Sequence, residues 1–159
     1  MAGPYGLPTV WTESVSAVTA TNSVEVGTLR YEGEILYQYV YNAGTTQINP
    51  GEICTLSAVT GYSVTVSSII DPISKPFGVV QNATLTTATY GWVGRSGIMM
   101  LENAGNTAIA AGYPIATAAD GSVDAPTGGT GTTWSKAVFA KALTATTTAG
   151  NFHALVQCM

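Results

Sequence analysis

The chain has 159 residues, with 5 basic and 9 acidic side chains and a formal net charge of −4. Charged residues make up 9% of it, against about 25% in an average soluble domain, and Thr, Ser, Gly and Ala take their place. Five scattered basic residues leave no electrostatic footprint for nucleic acid, and no apolar run approaches the roughly 20 residues of a bilayer-spanning helix.

Residues 1–23 read as an N-terminal arm. Pro4, Gly6 and Pro8 exclude a regular element at its start, and the Ser/Thr/Val stretch at 14–19 suits a strand pairing. Tyr5, Leu7 and Trp11 make the arm too apolar to stay in water, so it is expected to lie on another surface. Residues 24–159 read as one β domain. Strands are expected at 24–30 and at 34–41, where Ile35, Tyr37, Tyr39 and Tyr41 alternate with Leu36, Gln38 and Val40. Further strands are expected at 52–56, 62–70, 77–82, 89–93, 97–101, 114–118, 134–143 and 152–158. The Thr/Gly/Ala-rich stretch at 127–151 reads as a loop-rich extension in which Trp134 and Phe139 pack. No sustained helical period appears. Short strands between turn signals indicate an all-β fold, a small β-sandwich or β-barrel.

One pattern recurs. Asn42-Ala-Gly-Thr-Thr-Gln-Ile-Asn-Pro-Gly returns as Asn103-Ala-Gly-Asn-Thr-Ala-Ile-Ala-Ala-Gly, with six of ten positions identical. Each copy follows an apolar strand and precedes another. The reading is a repeated corner: an Asn-x-Gly turn, a buried Ile (Ile48, Ile109), then a second glycine (Gly51, Gly112). A duplicated β-unit is the larger version of the same idea.

Chemistry is sparse. The single histidine, His153, sits on an expected strand without a Gly-x-Ser-x-Gly elbow elsewhere, so it reads as a surface side chain. Glu32 and Glu34 flank Gly33 as a solvated hairpin tip. The stretch from Asp120 to Asp124 lacks calcium-loop spacing and reads as an Asp-Gly turn. Cys54 is expected to pack as a small hydrophobe and Cys158 to be exposed; two cysteines are too few for a disulfide framework or a zinc site. The N-terminus has no basic or apolar leader region, so synthesis in the cytoplasm is expected. No catalytic residue, cofactor or metal is expected, and the chain is not read as an enzyme. The low surface charge points instead to assembly with other protein.

The segment Phe77-Gly-Val-Val-Gln-Asn, its Thr/Ala continuation and Tyr90-Gly-Trp-Val-Gly resemble a segment of small tailed-phage virion proteins, as does Tyr37-Gln-Tyr-Val-Tyr-Asn-Ala-Gly. The similarity spans about residues 25–120 and is to head decoration, or capsid cement, proteins. It implies an all-β, non-enzymatic protein on the capsid exterior that binds the major capsid protein between subunits, self-associates as a trimer or dimer, and uses an extended arm. On that basis Tyr5, Leu7, Trp11, Trp134 and Phe139 are the expected capsid or subunit contacts. A tail-tube or fibre component is the alternative within phage proteins. A carbohydrate-binding β-sandwich, with the tyrosines as its platform, is the alternative outside them.

Overall fold

The computed structural model describes residues 13–58, 61–67, 76–103, 108–118, 121–124, 138–147 and 149–158. Among them are ten strands and no helix, so the fold is all-β. In chain order they are β1 (Leu29–Glu32), β2 (Ile35–Asn42), β3 (Ile53–Ala58), β4 (Ser63–Val66), β5 (Gly78–Val80), β6 (Tyr90–Asn103), β7 (Pro114–Thr117), β8 (Val123–Asp124), β9 (Val138–Ala142) and β10 (Gly150–Gln157). No helix among the described residues is long and apolar enough to cross a membrane.

The pairings close two circuits of five strands that share β6. The first runs β2–β4–β3–β5–β6 and back to β2; the second runs β6–β10–β9–β7–β8 and back to β6. The two circuits have the same connectivity. In each, the first strand pairs in parallel with the third and antiparallel with the fifth: β2 with β4 and β6, then β6 with β8 and β10. The second strand lies antiparallel between the third and fourth: β3 between β4 and β5, then β7 between β8 and β9. The fourth strand pairs antiparallel with the fifth, as β5 does with β6 and β9 with β10.

The repeated ten-residue pattern marks the same corner of both circuits. Asn42 and Asn103 end the first strand of each and are buried. Ile48 forms a bridge with Leu85, and Ile109 forms one with Thr146, so both partners move by 61 residues (109 against 48, 146 against 85). Both isoleucines are fully buried, and Gly51 and Gly112 adopt φ of +93° and +86°, which an L side chain rarely takes. Asn42 explains its own place. Its amide nitrogen donates to the carbonyls of Thr46, Leu85 and Thr86 at 3.0–3.2 Å, and its side-chain oxygen accepts from the Gly44 N–H at 3.0 Å. One buried side chain thus ties together three backbone carbonyls and one backbone N–H at the corner.

Each circuit has its own core. The first holds Val40, Ile48, Cys54, Val64, Phe77, Val80, Leu85 and Val93. The second includes Met99, Leu101, Ile109, Ile115, Val123, Phe139, Phe152, Ala154 and Val156, together with Ile53 and Val79 from the first circuit's strands. Successive residues Ile53 and Cys54, and likewise Val79 and Val80, therefore serve different cores. At these positions β3 and β5 are buried on both faces.

The structure revises several expected boundaries. Residues 89–93 and 97–101 belong to one 14-residue strand, β6. At Gly97 within it, φ is +128° and a Cβ would stand 2.4 Å from the Glu34 carbonyl oxygen. Residues 24–28 form a turn, closed by the Thr28 N–H donating to the Glu25 carbonyl, and the strand begins at Leu29. Residues 13–23 pack on the sheet, with Val15 buried and Thr19 bridging to Tyr90, in line with the pairing expected for 14–19. β9, at residues 138–142, lies inside the strand expected at 134–143.

Candidate interaction surface

The outer face of the first circuit is aromatic and covered. Tyr37 and Tyr39 of β2 and Trp92 of β6 form a cluster with Val15, and Val24, Val26, Ile35 and Tyr90 pack against it. The Tyr39 and Trp92 ring centroids lie 5.0 Å apart, tilted by 59°. Residues 13–28 hold this position with backbone and side-chain bonds. The Gly27 N–H donates to the Tyr39 carbonyl at 2.7 Å, and the Tyr39 N–H donates to the Thr28 carbonyl at 2.9 Å. The Tyr39 hydroxyl meets the hydroxyls of Ser23 at 3.0 Å and Thr19 at 3.3 Å. Arg30 of β1 lies 5.4 Å from the Trp92 ring centroid, bonds the Glu13 carbonyl and pairs with Glu32. Burial pushes the Tyr37 phenol above its usual range, against a bond from the Asn82 amide. Alternation along 34–41 was visible in the sequence; residues 13–28 close Tyr37 and Tyr39 off from solvent, while Tyr41 and Tyr90 are half-buried.

The corresponding face of the second circuit is open. Register fixes the correspondence: Tyr39 pairs with Trp92 and Met100 with His153, while Tyr37 pairs with Gly94 and Ile98 with Leu155. Every one of these second-circuit residues stands 61 positions after its first-circuit counterpart. Where the first face is buried, Ile98 is 43% and Leu155 51% exposed. Val138 and Leu143, beside them on and after β9, are exposed as well. Lys141 pairs with Leu155 in the ladder, so its stem borders the apolar centre. An open groove of about 340 Å³ runs alongside, lined by Val138, Phe139, Ala140, Lys141, Leu155 and Gln157.

Of the expected contact residues, Tyr5, Leu7, Trp11 and Trp134 lie outside the described residues. Phe139 is described: it is 7% exposed, belongs to the second core, and lines this groove. His153 is exposed on the open face. Cys158, expected to be exposed, is buried. Its N–H donates to the Arg95 carbonyl at 2.8 Å, fastening the end of β10 to the middle of β6. Arg95 stacks 3.8 Å from the Phe77 ring centroid and donates to Gln38 at 2.5 Å, with the Cys158 carbonyl 3.5 Å away. Burial raises both thiols, that of Cys158 to about 12 against the lowering effect of Arg95, so both cysteines are protonated and inert near neutral pH. Among the described residues, no group of three or more His, Cys, Asp or Glu is placed to hold a metal ion. Sequence reading missed Ile98, Leu155 and Val138 as surface residues, because an apolar residue on an alternating strand is normally assigned inward.

No protein family profile matches the chain, and no curated protein matches it. Among solved structures, the head fiber gp8.5 N base of bacteriophage phi29 shares the fold with a TM-score of 0.50. The match covers 77% of this chain and 94% of that one at 12% identity.

Proposed function

We propose that this chain is a non-enzymatic structural protein of a phage particle, carried on the exterior of the head, where it cements adjacent major capsid subunits. The observation that carries the reading is the fold likeness to a phage head fiber base, which extends over most of both chains. Two features support it. The resemblance of residues 25–120 to head decoration proteins was drawn from sequence alone. The surface is poor in charge and carries an uncovered apolar sheet face, a composition suited to lasting contact with protein. In this role the chain works by bridging: each copy adds contact free energy at a seam, repeated at many equivalent positions, and a few large apolar side chains supply most of it.

A second reading, the base of a head fiber, is favoured by the name of the phi29 protein. The two separate in one experiment. Purified chain is added to phage heads depleted of it, and the heads are imaged and heated. Cement activity predicts density at regularly repeated seams and a higher temperature of genome release. A fiber base predicts density at isolated projections and no change in release temperature. Absence of any binding to heads overturns both.

A further inference from the structure

Every described strand but one is paired on both sides, because the two circuits close. The exception is β1, which pairs with β2 alone. The ladder fixes which of its backbone groups are left over. The Tyr39 N–H donates to the Thr28 carbonyl, so Thr28 is a hydrogen-bonding position against β2. Such positions alternate along an antiparallel pair. Arg30 and Glu32 therefore turn their N–H and C=O groups toward β2, and Leu29 and Tyr31 turn theirs away from it. No strand among the described residues takes these four groups. The side chains at the same two positions are open to solvent. Leu29 is 54% exposed, and Tyr31, at 74%, is the most exposed large apolar side chain among the described residues. Unpaired edges template the addition of another chain, and proteins blunt them with lysine, proline, a bulge or a cover. β1 reads Leu-Arg-Tyr-Glu, without lysine or proline, and its register with β2 has no bulge. Arg30 is turned inward and pairs with Glu32.

We propose that the free edge of β1 accepts an extended strand of a partner protein that carries a basic residue at each end. Backbone geometry dictates the strand. Two N–H and two C=O groups, two residues apart along one line, are met by an extended chain and not by a helix. Charge dictates its ends. Residues 25–34 hold three glutamates and one arginine. Arg30 takes Glu32, which leaves Glu25 before the strand and Glu34 after it, both exposed and without an ion pair among the described residues. A second copy of this chain brings the same glutamates to the same edge, so like charges disfavour it. A short strand that is apolar beside Leu29 and Tyr31, with lysine or arginine at either end, meets both requirements. The site belongs to the first circuit, apart from the open face of the second, and does not rest on the capsid reading.

The test uses the isotope-labelled full chain and a synthetic peptide of alternating Val and Thr with a lysine at each end, added to about 2 mM. Amide exchange at Leu29 and Tyr31 is expected to slow in a saturable way. The same peptide with glutamate ends should bind at least about tenfold more weakly, and one with alternate amides N-methylated on its pairing edge should give no protection. The double variant Glu25→Lys, Glu34→Lys should reverse the preference between the two peptide ends. Both positions are exposed, and an unchanged thermal melt confirms that the variant folds. Tyr31→Pro removes an N–H that β2 does not use and should abolish protection at Leu29. The proposal is overturned if the lysine-ended peptide leaves both amides unprotected, or if the two peptide ends bind alike. Amides already protected in the dilute free chain overturn it in favour of the chain's own residues. Protection that grows with the concentration of the chain alone overturns it in favour of a second copy.

Discussion

The two strand circuits are built to one plan and finished differently. Both have a buried Asn at the end of the first strand, a buried Ile in the following corner and the same five pairings. The fillings differ: where the first circuit pairs Val80 with Val93, the second pairs Ala142 with Ala154. It makes up the volume with Phe139 and Phe152. The outer faces differ more. One is aromatic and closed by residues 13–28; the other is aliphatic and open. Interior packing constrains the plan, because a closed circuit tolerates changes only if total volume is kept. The outer face is free to diverge: one copy is covered and the other exposed.

The largest expected effect comes from the strand that both circuits share. Gly97→Val places a Cβ 2.4 Å from the Glu34 carbonyl oxygen and 3.0 Å from the Ile35 Cα, at φ +128°. A loss of roughly 4 kcal/mol or more is expected by urea unfolding, with both circuits affected together. Retention of near-normal stability would contradict the close approach of Glu34 and Ile35 to this position.

The corners sharpen the comparison. Ile48→Ala and Ile109→Ala each remove a fully buried side chain and are expected to cost about 3–4 kcal/mol. Equivalent corners predict costs within about 1 kcal/mol of each other. Hydrogen exchange should rise first in the circuit that carries the substitution.

Alkaline pH tests the junction where β10 is fastened to β6. The folded thiols of Cys54 and Cys158 titrate well above the unfolded value of about 8.5. Above that value the unfolded chain releases protons that the folded chain retains, so stability is full below about pH 8.5 and falls as pH rises toward 12. The expected loss at pH 10 is roughly 1–2 kcal/mol per thiol, and Cys158→Ala should remove one share of the slope. A pH-independent stability between 8 and 10.5 contradicts the buried placement.

The smallest effect belongs to the cover. Tyr39→Phe removes the hydroxyl that meets Ser23 and Thr19 while keeping the ring packed. A loss of about 1 kcal/mol is expected, with faster amide exchange confined to residues 13–28. Faster exchange across β10 instead would show that the two faces are not independent.

The sequence by itself determined the all-β class, most strand positions and the corner motif. Period-two alternation and β-branched residues act locally, and an Asn-x-Gly turn has the same chemistry wherever it falls. Its reach ended at pairing. The echo raised a duplicated β-unit, but its extent, two five-strand circuits sharing β6, needed the pairings, because outside the corner the circuits share register rather than identity. A continuous β6 was hidden by residues 94–96, a Gly-Arg-Ser step left between two expected strands that lies inside one. Which tyrosine face is covered, and which aliphatic face is left open, depends on where residues 13–28 come to rest. Only the tertiary structure decides that, because exposure belongs to the packed neighbours of a strand and not to its own pattern.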